Sequence, residues 1–185
     1  MSLHYTETLI PSSLITPSIQ SLLPKGYTFR SLRRSDYKLG HLDVLADLAH
    51  IGDISEAAWT ERFDYLAKCQ GTYFVLVIVE AGDNECDEEK RIIGTGTLVV
   101  ERKFLFKLGI QGHIEDIGIK ADQQGKGLGI KMLNALDSIA KDVGCYKTIL
   151  DCSAKNEGFY VKCGYNKAGT EMQHYFNDEA VKYHV

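Results

Sequence analysis

The chain has 185 residues, 44% of them hydrophobic and 25% charged, with a formal net charge of -4. That length and apolar content predict one globular domain with a core of its own, and the charge excludes a general attraction for nucleic acid or an anionic membrane, so an anionic ligand needs a local site. The longest purely apolar run, residues 74–79, is far too short to cross a bilayer, and no basic segment followed by an apolar one is seen at the start. The five cysteines (Cys69, Cys86, Cys145, Cys152, Cys163) are scattered without a C-x-x-C pair, which predicts reduced thiols in the cytosol rather than disulfides or zinc. The six histidines are equally dispersed, so no metal is expected.

In chain order, residues 1–25 hold all three prolines and many Ser and Thr, and read as an irregular arm lying on, or leaving, the domain. Residues 27–32 alternate as a first strand. Leu39, Leu42, Leu45, Leu48 and Ile51 recur at helical spacing; Gly52-Asp53 breaks that helix, and Ser55 can cap a second one through about Cys69. Residues 72–80 form a nearly continuous apolar strand, the pattern of burial on both faces. The acidic run 83–89 predicts a solvated hairpin turn, with residues 91–101 returning as the partner strand. A strand over 113–119, a Gly-rich turn and a helix over 131–141 follow, then a strand over 146–152. A short helix over 156–163 stops at Gly164, residues 165–175 suit a last strand, and 177–185 are a polar tail. This order means an α/β or α+β sheet with helices on its faces.

The most informative stretch is Gln124-Gly125-Lys126-Gly127-Leu128-Gly129. Its glycines leave little side chain over the turn, and a helix opening there aims unpaired N–H groups and a positive dipole end at one spot. Phosphate or pyrophosphate is the usual occupant of such a place. The turn lacks the Gly-Lys-Ser/Thr end of a Walker A loop and the spacing of a dinucleotide fingerprint. Glu115 and Asp116, adjacent on a strand, should face opposite sides, bringing at least one carboxylate to a core or cleft. Asp151 closes an apolar strand, where open α/β sheets bind ligands. Tyr160 carries a hydroxyl able to donate a proton, although a core aromatic would look the same. No local signature supports a serine or cysteine nucleophile, and His113 is the histidine nearest these motifs.

Together these pieces resemble the GNAT acetyltransferases, whose Arg/Gln-x-x-Gly-x-Gly/Ala fingerprint stands here as Gln124-x-x-Gly127-x-Gly129. Within that family the resemblance is to the members that act on an amino-sugar phosphate. It rests on Glu101-Arg102-Lys103, Gly112-His113-Ile114-Glu115-Asp116-Ile117, Gly144-Cys145-Tyr146-Lys147, Leu150-Asp151-Cys152, Asn156, Phe159-Tyr160 and Lys162-Cys163-Gly164. The strong part covers residues 91–175.

The resemblance implies a GNAT fold over 26–176: a mixed sheet of about six to seven strands flanked by about four helices. It implies direct acetyl transfer from acetyl-CoA to the amine of glucosamine 6-phosphate, in the cytoplasm, by a homodimer sharing its active sites, with no metal, nucleic acid or membrane involved. Gly125, Lys126, Gly127, Leu128, Gly129 and Ile130 would hold the pyrophosphate; Ile117, Gly118 and Ile119 the pantetheine and thioester carbonyl; Asn156 and Tyr160 would complete the CoA site. Glu115, Asp151 and Tyr160 would be catalytic. Lys103, Phe104, Leu105, Phe106, Asp116, Ile117, Tyr146 and Lys147 would line the sugar site beside Glu115 and Asp151. An arginine that family members carry near the end of the last strand is missing from Met172-Gln173-His174-Tyr175-Phe176, which leaves the phosphate to Lys147 and Lys103, helped by His174. A GNAT enzyme for another primary amine, and a non-catalytic acyl-CoA-binding domain, remain as alternatives.

Overall fold

The computed structural model describes residues 6–81, 90–177 and 181–182. The acidic run 83–89 with Cys86, and most of the polar tail, lie outside the described residues. Five strands form one sheet in the order β1 (Tyr27–Ser31), β2 (Tyr73–Glu80), β3 (Arg91–Arg102), β4 (Ile110–Ile119) and β5 (Cys145–Ile149). The first four run antiparallel and β5 pairs parallel to β4. Six helices accompany them among the described residues: α1 (Pro17–Gln20), α2 (His41–Ala46), α3 (Glu56–Lys68), the single turn α4 (Leu105–Leu108), α5 (Leu128–Asp142) and α6 (Glu157–Lys162).

The expected count of six to seven strands and about four helices is therefore corrected to five and six. Residues 165–175, read as a last strand, carry no strand; Tyr165 is half-buried against the core and the chain from 166 to 175 is exposed, with Met172 88% accessible. The helix expected from Leu39 to Ile51 is broken. A 3₁₀ turn covers Asp36–Leu39, Gly40 turns left-handed at φ 85°, and α2 ends at Ala46 before Leu48 and Ile51. Ser55 does cap α3, its Oγ accepting from the Ala58 N–H at 3.2 Å.

The continuous apolar run of β2 has its cause in two cores. Phe74, Leu76 and Ile78 pack with Phe29, Leu98, Ile114 and the inner face of α5. Val75, Val77 and Val79 point the other way, onto Val44, Trp59 and Phe63 of α2 and α3. A strand buried on both faces shows no alternation. The arm passes from one core to the other: Leu9 joins the α2 and α3 side, Ile10, Ile19 and Leu23 join the α5 side, and Thr16 caps α1. α5 rides close over the sheet because β3 has Gly96 beneath it, where a Cβ would stand 2.9–3.0 Å from Leu136, Ile117 and Met132.

Two buried polar clusters fix the other face. Arg30 donates to both carboxylate oxygens of fully buried Asp36, at 2.7 and 3.0 Å. His41 accepts at Nδ1 from Trp59 Nε1–H (3.3 Å) and faces the Thr95 hydroxyl through Nε2 (3.2 Å), and its burial lowers its pKa from 6.5 to about 4. An unfolded chain binds that proton below about 6.5 while the fold refuses it, so His41 withdraws stability as pH falls from 6.5 to about 4. The loss should approach about 1.4 kcal/mol per pH unit within that window and level off below it. Urea titrations from pH 7 to 4 check this: His41→Gln should flatten the slope, whereas an equal slope in both proteins would remove His41 as its source.

Candidate active site

The site begins where β4 and β5 part. Their parallel pairing runs from Ile110–Cys145 to His113–Ile149 and stops. β4 continues to Ile119 on β3 alone, so its far edge over residues 114–119 has no strand partner among the described residues. The β3 register slips between Thr95 and Thr97, and Asp116 takes a left-handed φ of 54°, the geometry of a bulge. The bulge interrupts simple alternation, and Glu115 and Asp116 are both exposed. Packing beside the Asp116 carboxyl still raises its pKa by desolvation.

Below this edge, α5 starts. Gly125 and Gly127 have φ of 77° and 71°, and a Cβ on either would meet nothing within 4 Å. Gly127 is the N-cap and offers no side-chain hydrogen bond, so the first-turn N–H groups face outward uncapped. A cleft of about 390 Å³ lies between the β4 edge, this turn and α6. Of the residues expected to hold CoA, Ile117, Ile119, Gly125, Gly127, Leu128, Gly129, Ile130, Asn156 and Tyr160 line it. Gly118 does not, being buried against Val44, and Lys126 turns away to donate to Gln123 Oε1 (2.7 Å) and the Tyr27 hydroxyl (3.1 Å). Gln123, Gln124 and Phe159 also line the cleft. Gln124 heads the glycine fingerprint and Phe159 neighbours Tyr160, so the motif itself was the signal for both.

Tyr160 reaches the cleft because the chain beyond α6 is tied down. The Tyr165 hydroxyl donates to Asp137 of α5 at 2.7 Å, and Thr148 of β5 donates to the same oxygen at 2.7 Å. Half-buried, the Tyr160 phenol has its pKa raised, chiefly by desolvation and further by Cys152 and Cys163 nearby. Its proton is therefore held at neutral pH.

Where β4 and β5 separate, an acid cluster surrounds His113. The imidazole Nε2 lies 3.2 Å from Asp151 Oδ2, and Nδ1 stands 3.5 Å from Glu115 and 3.6 Å from Glu101. Glu101 also holds Lys103 Nζ at 2.5 Å and accepts from Gln111 Nε2, whose own oxygen accepts from the Tyr146 hydroxyl. Lys103 is thus already neutralised. Lys147 has no ion pair among the described residues, its Nζ standing 5.9 Å from its neighbour Tyr146's ring. Glu101, Gln111 and His113 were not expected in the site. His113 and Glu101 sat inside the quoted motifs; nothing in the sequence set Gln111 apart.

Phe104, Leu105 and Phe106 form an exposed apolar knuckle, with the Phe106 ring tilted against Tyr146, centroids 5.0 Å apart. Phe106, Lys107 and Leu108 all have positive φ (53°, 56°, 63°), a run that costs about 1–2 kcal/mol per residue outside glycine. His174 lies in the exposed tail beside Phe176, ring centroids 4.7 Å apart. Among the described residues no group of His, Cys, Asp and Glu is arranged to hold a metal ion. The four described cysteines are free, and no described helix is long and apolar enough to cross a membrane.

Comparison with known proteins meets this geometry. The Acetyltransferase (GNAT) family pattern matches residues 39–165. The chain is 40% identical to the glucosamine 6-phosphate N-acetyltransferase of Candida albicans, over 82% of this chain and 97% of that one. It is 36% identical to glucosamine 6-phosphate N-acetyltransferase 1 of Dictyostelium discoideum, over 85% and 96%. The crystal structure of the Arabidopsis thaliana glucosamine-6-phosphate N-acetyltransferase superposes with a TM-score of 0.75 at 34% identity, covering 82% of this chain and 99% of that one. With an uncapped glycine turn under a parted strand pair, and relatives matched almost end to end, the chain belongs to the GNAT acetyltransferases, in the group of the glucosamine 6-phosphate N-acetyltransferases.

Proposed function

We propose that the protein transfers the acetyl group of acetyl-CoA to the amine of D-glucosamine 6-phosphate, releasing N-acetyl-D-glucosamine 6-phosphate and CoA, a step toward UDP-N-acetylglucosamine. The observation that carries this reading is the junction of two unlike sites: the anion-ready glycine cleft meets, across the parted strands, a cluster of carboxylates, with Lys147 of β5 free of any ion pair among the described residues. One suits a pyrophosphate, the other an ammonium sugar bearing a phosphate.

In the reaction a C–N bond forms as the C–S bond breaks. The free β4 edge at Ile117–Ile119 offers amide groups to the pantetheine arm and to the thioester oxygen. Glu115 and Asp151 orient the sugar and take the amine's proton. Tyr160, whose proton is held by burial, donates to the departing thiolate. Direct attack asks for no acyl-enzyme. The free thiols agree with a cytoplasmic setting, and the exposed knuckle Phe104–Phe106 with tail residues Met172 and Phe176 offers the apolar surface of a homodimer that shares its sites.

Turnover of a panel of primary amines, read as thiol release, tests the assignment. The parent should prefer glucosamine 6-phosphate over glucosamine; absence of any preference would move the protein to another amine. Lys147→Ala should raise KM for glucosamine 6-phosphate roughly ten- to a hundred-fold, the loss of one charge-assisted hydrogen bond, and leave acetyl-CoA binding alone. An unchanged preference in that variant would shift the phosphate anchor elsewhere.

Gly127→Val forces a β-branched residue into the left-handed region, at about 1–2 kcal/mol of fold stability, and projects carbon into open space at the mouth of the cleft. Calorimetry on the folded variant should show weakened acetyl-CoA binding; parental affinity would take the turn out of the CoA site. Tyr160→Phe should lower kcat by about 10²- to 10⁴-fold while KM for acetyl-CoA moves little. A kcat within about twofold of the parent returns Tyr160 to a packing role.

A further inference from the structure

Three observations single out His113. Its ring stands at the last paired position of β4 and β5, where the strands part. Three carboxylates face it: Asp151 beyond β5 at 3.2 Å, Glu115 of β4 at 3.5 Å and Glu101 of β3 at 3.6 Å, the last also holding Lys103. And it lies behind those acids, its side chain 21% exposed against 55% for Asp151 and 48% for Glu115. A substrate ammonium therefore meets Asp151 or Glu115 first and His113 only through them.

We propose that His113, held by its Nε2 hydrogen bond to Asp151, is a positioning residue for acetyl transfer, taking over through Glu115 the proton that the attacking ammonium must lose. The inference rests on the acetyl-transfer reading above. A carboxylate is a weak base that hands an ammonium's proton back readily; an imidazole behind it can keep that proton. The ring's hydrogen bond is Nε2 to Asp151 Oδ2 at 3.2 Å, and an ionised carboxylate only accepts, so Nε2 carries the hydrogen and Nδ1 turns its lone pair toward Glu115. The ammonium N–H breaks and its proton passes to Glu115. The Glu115 O–H then delivers it to Nδ1, and the imidazolium is balanced by the surrounding carboxylates. After the acetylated sugar, now an uncharged amide, has left, the proton returns through Glu115 to water. No other reactant is required.

His113→Gln keeps a polar group beside Asp151 but cannot store a proton. Its kcat near neutral pH should fall about ten- to a hundred-fold, a smaller loss than removing a directly acting base, about 10²- to 10⁴-fold, with both KM values little changed. The deficit should close as pH is raised until the sugar amine arrives already deprotonated. A loss of the same size at every pH, or no loss, overturns the proposal. If the variant does not fold, the parent decides: NMR of its ¹³C-labelled histidines should show the His113 ring titrating along the acid limb of kcat, and a ring that titrates elsewhere overturns the proposal. Should the parent acetylate a different primary amine, the substrate assignment fails while the same pH comparison, run on that amine, still tests His113.

Discussion

The separation of β4 from β5 beyond His113 is the constraint on which the rest of this molecule depends. A parallel pair that stayed zipped to Ile119 would satisfy its own backbone groups and leave nothing for a ligand. Because β5 stops at Ile149, the β4 edge from Ile114 onward is a row of groups waiting for a partner, the same physics that makes a sheet edge sticky. The bulge at Asp116 strengthens the opening. It spends a left-handed residue, tolerable for aspartate, to turn the strand at the point where two ligands would meet.

An open edge needs a rigid frame. On one side β3 carries β4 through an antiparallel ladder, and β2 behind it is buried on both faces. On the other, α2 is clipped to the end of β4: Lys120 Nζ donates to Asp43 O at 3.2 Å, and the Ala121 N–H donates to Asp47 at 2.9 Å, lowering that acid's pKa. Buried His41 then links α2 to Thr95 of β3, opposite Gly118. The strand that would carry the thioester is held from below by groups that never reach the cleft.

The sequence was most legible where one force acted alone. The Ser55 cap, the double-sided burial of β2 and the glycine turn each follow from a local rule, and each stands in the structure. It misled where tertiary packing intervened. Leucine spacing carried the α2 reading to Ile51, but Gly40 and the early end at Ala46 cut it short. Residues 165–175 have strand-like composition yet find no neighbouring edge among the described residues, and strand propensity without a partner makes no strand. Nor can a pattern of period two foresee the bulge at Asp116.

Charge is the last level, and here counting cations in a motif differs from seeing what each one faces. Lys103 and Lys147 look equivalent in the chain, each the last residue of a motif that carries the resemblance. Folding separates them. Lys103 is drawn onto Glu101, which belongs to the group around His113, so its charge stabilises the acids rather than standing free. Lys147 lies across its own tyrosine with no acid upon it among the described residues. A dianionic phosphate binds best where it need not displace a carboxylate. One pair thus eases the crowding of three acids, and on the function proposed above the other lysine would be left to meet the phosphate at the far end of the sugar.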